Sequence, residues 1–298
     1  MTQSRIFDGE TVIPDADLTQ RETTLLGFET RYVRVRDQLR LLLSAGDLDS
    51  WSRTHHGVRL PICDLLADQY PLIIFHGDVG TGKTATAECI ANRLMREAGG
   101  EESMLFKLSN RVRGSGKVGE MGTLLAQAFD HVIDAAGKHR RAVLIVDEGD
   151  SIAASRAQDQ SHHEDKVAVN TLIQRIDELR RFKGRIALIL CTNRLSVVDP
   201  ALVRRAAIVE EFRRPAEEER RQLLLMDLAG LDLVDPQIAE LVEASGPKND
   251  RPGWTYSDFR TRFYPAAAAQ AFPDNPLGFE HLRAAALGLS AARVMEDR

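Results

Sequence analysis

Residues 72–84 read LIIFHGDVGTGKT, and this stretch decides the fold. Leu72 to His76 is a short apolar run with the length of a buried strand. It runs straight into Gly77-Asp78-Val79-Gly80-Thr81-Gly82-Lys83-Thr84, which matches the spacing GxxxxGK[ST]. Glycines at these positions let backbone N–H groups curl around a phosphate, which then lies at the positive end of the following helix. That helix is expected from Thr84 to Glu97, with Ala85 in its first turn. Lys83 is placed to bridge β- and γ-phosphates, and Thr84 to ligate Mg²⁺. A glycine turn with a surface lysine is the bland alternative, and the strand before and helix after argue against it.

Working outward, apolar strand candidates alternate with amphipathic helices: Met104 to Leu108 then Met121 to Ala136, and Val143 to Val146 then Val167 to Arg180. Ile186 to Cys191 and Ala207 to Phe212 complete the series. Such alternation predicts an α/β fold, a parallel five-stranded sheet flanked by helices, with ligands at the carboxyl ends of the strands. Upstream, residues 1–24 are polar and without sustained period, so a mobile arm or a partner-dependent segment is expected there. A helix is expected from Leu25 to Ser44 and a loop from Trp51 to Arg59. After Pro215 the strand pattern stops and helical segments follow, at 216–228, 236–244, 256–271 and 276–289. Three parts are therefore expected: the arm at 1–24, a nucleotide-binding α/β unit with its N-terminal helical linker at 25–214, and a small all-α lid at 215–298.

The strand Ala142 to Val146 ends in Asp147-Glu148. Asp147 there suits the Mg²⁺ water shell, and Glu148 the polarisation of an attacking water. The next strand ends in Thr192-Asn193-Arg194, and an amide at that tip can place the same water beside Glu148. A satisfied turn asparagine is the plain alternative. Asp199 to Arg205 is a short capped segment closing on two arginines. If copies pack in a ring, Arg205 first and Arg204 second are the candidates to reach a neighbour's γ-phosphate. In the lid, Arg260 or Arg262 could touch the same phosphate from above.

Bulk composition narrows the class. Of 298 residues, 43% are hydrophobic and 28% charged, the usage of an ordinary globular chain. A net charge of −5 argues against a protein that coats nucleic acid. No run approaches a membrane span, and neither a secretory leader nor a CxxC spacing is visible, so a cytoplasmic protein is expected.

The order of these parts resembles the AAA+ superfamily of P-loop ATPases from residue 70 to about 290. More narrowly, the chain resembles the pachytene checkpoint family, remodellers of HORMA-domain proteins. The likeness rests on His76-Gly77 into Gly80 to Thr84, on Asp147-Glu148 followed by Ser151 to Arg156, and on Val169 to Asp177, similar to the family's VNAVLTQID. Ala201 to Ile208 is similar to its AFVDRADI. The size looks like that of bacterial members encoded in CBASS anti-phage operons with a HORMA protein and a cGAS-like nucleotidyltransferase. That resemblance implies an ATP- and Mg²⁺-dependent homohexamer that opens its HORMA partner, dissolving the complex with the nucleotidyltransferase and limiting second-messenger signalling. It also implies a pore loop within 111–120, gripping substrate through Lys117, Val118 and Gly119, with Val118 where many relatives carry an aromatic. The family's SGR sensor has only an offset counterpart in Ser257-Asp258-Phe259-Arg260. His162-His163-Glu164-Asp165 reads better as a second pore loop than as a metal site, because adjacent histidines point apart. Two other readings compete: a DNA-linked AAA+ ATPase of clamp-loader, replication or transposition type, and a general unfoldase. Acidic charge weighs against the first.

Overall fold

The apolar runs around residues 72–84 become neighbouring strands because each is buried on both faces and must be covered by helices. The computed structural model describes residues 6–99, 102–113, 119–154, 163–248 and 251–294. In chain order the elements are β1 (Phe7–Ile13), α1 (Ala16–Glu22), α2 (Phe28–Leu43), α3 (Leu48–His56), α4 (Ile62–Ala67) and β2 (Leu72–Gly77). Then come α5 (Lys83–Ala98), β3 (Ser103–Leu108), α6 (Glu120–Ala136), β4 (Ala142–Val146), α7 (His163–Leu179), β5 (Ile186–Thr192), α8 (Pro200–Val203) and β6 (Ala206–Phe212). Four further helices close the chain: α9 (Glu217–Asp227), α10 (Asp235–Ala244), α11 (Tyr264–Ala271), which continues a π-helical segment at Asp258–Phe263, and α12 (Phe279–Gly288).

The strand order is β1-β3-β4-β5-β2-β6. β3, β4, β5, β2 and β6 run parallel, and β1 pairs antiparallel with β3, from Phe7 opposite Leu108 to Ile13 opposite Ser103. The sheet thus has six strands where five were expected. The sixth comes from the segment read as a mobile arm. Its two buried anchors, Phe7 and Ile13, are separated by exposed or half-exposed residues, Val12 among them, so the strand depends on its partner's edge and shows little periodicity of its own. The chain behind it is tied down by Asn92, fully buried on α5. Its side-chain oxygen accepts from the Asp15 N–H at 2.6 Å, and its amide donates to the Asp15 carbonyl at 3.1 Å.

On one face of the sheet, Phe106, Leu144 and Leu188 pack under α6 and α7. On the other, Ile73, Phe75, Val143 and Ile189 pack under α2 and α5. The final helices enclose a separate apolar cluster around Trp254, Phe259 and Phe263. The expected loop at 51–59 is α3 as far as His56. Its Ser, Thr and His residues are weak helix formers, and the fold holds it by burying Leu48 against Cys63 and by Ser52, whose hydroxyl donates to Val58 O and accepts from Leu60 N, both at 2.9 Å.

Removing residues 1–13 tests the edge strand. Phe7 and Ile13 each contribute about 1.5–3 kcal/mol of burial, so the melting temperature should fall by about 5–10 °C. A truncated chain melting with the parent would show that the segment adds nothing to the fold.

Candidate nucleotide site

β2, β4 and β5 lie side by side with His76 opposite Thr192 and Val146 opposite Leu190. This register brings the loop after β2, Asp147-Glu148 and Asn193 to one edge of the sheet. Gly77 stands at φ 137°, and a Cβ there would lie 1.9 Å from the Phe212 carbonyl oxygen on β6, so only glycine lets the loop leave the sheet this way. Gly80, at φ 75°, lies beneath the lid, where a Cβ would meet Ser257 and Thr255 at 2.8 Å.

Lys83 is 6% exposed. Its ammonium donates to Gly77 O and Asp78 O at 2.8 Å and to Asn193 Oδ1 at 3.0 Å. Burial lowers its pKa from the ordinary lysine value, with the nearby carboxylates of Asp147, Asp78 and Asp150 acting against the shift. Thr84 Oγ1 donates to Asp147 Oδ2 at 2.8 Å, so two oxygen donors sit side by side at the start of α5. Hard oxygen donors so placed suit Mg²⁺. Val79 and Thr81 complete the loop: the Val79 N–H donates to Asp78 Oδ1 at 2.8 Å and Thr81 Oγ1 to Asp78 O at 2.7 Å. Gly82 caps α5 at φ 90°, and Ala85 is half-buried in its first turn.

Glu148 takes a left-handed backbone conformation, φ 50° and ψ 45°, which is costly for a residue with a side chain and typical of active sites. Its carboxylate accepts from Asn110 Nδ2 at 2.9 Å. Asn110 escaped the sequence reading: it is a lone amide just past the end of β3, and only the fold shows that this strand lies beside β4. Asn193 is held by Asp150, whose Oδ1 accepts from the Asn193 N–H and from Thr192 Oγ1, both at 3.3 Å.

The arginines are distributed differently from expectation. Arg205 donates through Nε and Nη2 to the Asp177 carboxylate at 2.6 and 3.1 Å and through Nη1 to Ala201 O at 3.0 Å, and its guanidinium lies over the Tyr70 ring. The VNTLIQRID and ALVRRAAI stretches thus meet in one ion pair. Arg204 beside it is exposed. Arg260, expected near the phosphate, is instead paired in the lid with Asp227 at 2.9 and 2.8 Å, because that carboxylate on α9 matches its fork. Arg262 is likewise bound to Asp258 and Ser290 O, each at 3.0 Å. Of the expected pore residues, Gly119 caps α6 at φ 82°, while Lys117 and Val118 lie outside the described residues. So does His162.

A glycine cradle on β2, an acidic pair on β4 and an amide on β5 define a P-loop ATPase of the AAA class. Residues 73–214 match the model of the ATPase family associated with various cellular activities. The chain belongs to the CD-NTase-associated protein 6 family of these ATPases: the E. coli strain KTE188 protein of that name is 62% identical across the whole of both chains. Among solved structures, a chain of the E. coli MS115-1 HORMA:CdnC:Trip13 complex superposes with TM-score 0.89 and 33% identity over 99% of each chain. A Rhizobiales Trip13 does so with TM-score 0.71 and 30% identity over 97% of this chain and all of that one. The chain hydrolyses ATP, and no helix of its described residues is long and apolar enough to cross a membrane.

Replacing Lys83 by Ala should abolish nucleotide binding, read by titration with a fluorescent ATP. Glu148→Gln should bind ATP normally and lose about 100-fold or more in kcat. Turnover at the parental rate in Glu148→Gln would remove Glu148 from the role of base.

Proposed function

We propose that the chain assembles in the cytoplasm as a homohexameric ring and spends ATP to open a HORMA-domain partner. The opening would dismantle the partner's complex with a cGAS-like nucleotidyltransferase and so limit anti-phage second-messenger signalling. The observation that carries this reading is the end-to-end likeness to a chain of the E. coli HORMA:CdnC:Trip13 complex, at 33% identity. Gripping of the substrate is assigned to Lys117, Val118 and Gly119, of which Gly119 caps α6.

Within each site Gly77 to Ala85 hold the triphosphate, Asn193 orients the lytic water and Glu148 takes its proton. Mg²⁺ held by Thr84 and Asp147 would neutralise charge between the β- and γ-oxygens. Asn110 holds one oxygen of the Glu148 carboxylate and leaves the other to the water, so the amide helps to aim the base. The trans finger is assigned to the Arg204-Arg205 pair. Arg205 is engaged by Asp177, which supports Arg204 as the guanidinium that reaches across and Arg205 as its anchor.

Arg204→Ala should bind ATP yet lose about 10³-fold in rate, as for other fingers supplied in trans. Mixing it with Lys83→Ala should restore part of the activity, because the second variant lends its intact arginine to the first. No recovery would make the finger act in cis. For the partner, the chain should release a preformed HORMA–nucleotidyltransferase complex on size exclusion only with hydrolysable ATP, and Glu148→Gln should stay bound to it. A complex that survives ATP turnover, or an ATPase stimulated by DNA, would reject the HORMA reading.

A further inference from the structure

A single guanidinium spans the phosphate cradle and the lid. Arg214, two residues beyond β6, donates through Nε to Asp78 Oδ2 at 2.6 Å, through Nη1 to Gly253 O at 2.6 Å and through Nη2 to Ala292 O at 2.9 Å. Its side chain is 13% exposed and that of Asp78 12%, so neither charge is a solvated surface group. Gly253 precedes the turn into the π-helical segment, and Ala292 belongs to the tail after α12. These two lid segments are themselves joined by Asp258, 2% exposed, whose Oδ2 accepts from Thr255 N at 2.9 Å and Ala292 N at 3.2 Å. Both of Arg214's lid acceptors therefore move with one body.

On the cradle side Asp78 is equally fixed. Its other carboxylate oxygen accepts from Val79 N, and its main-chain oxygen accepts from Lys83 Nζ at 2.8 Å and Thr81 Oγ1 at 2.7 Å. The carboxylate that grips Arg214 thus rides on the peptide that holds the phosphate-binding lysine. A phosphate in the cradle takes Lys83 away from Gly77 O and Asp78 O. Asp78 O then keeps only Thr81 of its two side-chain donors, so the peptide can shift and Asp78 carries Arg214 with it. The lid's own arginines on the π-helical segment are committed to Asp227 and Asp258, and the lid also meets the loop where Ser257 N donates to Gly80 O at 3.1 Å.

The geometry points to Arg214 as a positioning residue of the ATPase: through Asp78 it couples nucleotide occupancy of the cradle to the position of the lid. The coupling depends on ATP binding at the cradle and is independent of which protein the ring remodels. Arginine is needed because one planar fork serves a carboxylate and two carbonyls, which a lysine ammonium cannot match in the same directions.

The test uses the full chain carrying Glu148→Gln, with paired labels at Lys138→Cys in the α/β unit and Glu243→Cys on α10. All three native cysteines are buried, so the labels go to the new sites. Labelled subunits are diluted into unlabelled ones, and the intrasubunit distance is measured with and without ATP. The parent should show a nucleotide-dependent shift that Arg214→Met and Asp78→Asn both abolish and Arg214→Lys partly keeps. In otherwise parental chains, with Glu148 intact, kcat should fall about tenfold in each loss variant, with KM for ATP changed less than about threefold. The double variant should be no worse than the poorer single, since both remove one interaction. A shift retained in Arg214→Met, no shift in the parent, additive losses, or a loss confined to KM would overturn the proposal. If Arg214→Met fails to fold, Asp78→Asn, which keeps the side chain's shape, decides it: a retained shift overturns the coupling and a lost one supports it.

Discussion

The site depends on a lysine ammonium held out of water. Lys83 begins α5 yet reaches back to the carbonyls of Gly77 and Asp78 and across to Asn193 on the tip of β5. One charge therefore holds the loop in its curled form and fixes the distance between two neighbouring strand ends. Burial disfavours that charge; hydrogen bonds to two carbonyls and an amide oxygen, and the charge of nearby carboxylates, keep it in place. A phosphate is a better partner than a carbonyl for a buried cation, because it brings the compensating charge with it. The cradle is thus built in advance, and its lysine waits on groups that it can exchange for ligand.

What the lysine requires, the sheet supplies. The parallel register of β2, β4 and β5 aligns Gly77, Asp147 and Asn193 at one edge, and the covering helices keep that edge rigid. This much was legible in the sequence, since fully apolar runs ending in glycine, acid and amide have few other uses. The Thr84–Asp147 hydrogen bond brings together two oxygen-bearing side chains 63 residues apart in the chain. The first strand was not legible. Phe7 and Ile13 are its buried ends, and the exposed or half-exposed residues between them gain their strand conformation by pairing with β3. Helix α3 was hidden for a similar reason, because its stability comes from Leu48, Cys63 and Ser52 rather than from its own helix preference.

Arginines were the hardest residues to place. A guanidinium is long enough to reach several acceptors, and sequence spacing does not say which carboxylate the fold will bring near. Arg260 and Arg262 found acids within the lid, Arg205 found Asp177, and Arg214 joined the lid to the loop. Asn110 is a smaller case of the same kind. An isolated amide after a strand carries no pattern, and only the adjacency of β3 and β4 reveals that it holds Glu148.

The central claim is tested most directly by a structure of the assembled chain with a non-hydrolysable ATP analogue. The account predicts the γ-phosphate against Lys83, with the ammonium withdrawn from Gly77 O and Asp78 O, a divalent ion between Thr84 and Asp147, and a guanidinium from the adjacent subunit completing the pocket. A nucleotide bound elsewhere, or Lys83 still seated on the two carbonyls beneath a bound triphosphate, would contradict it.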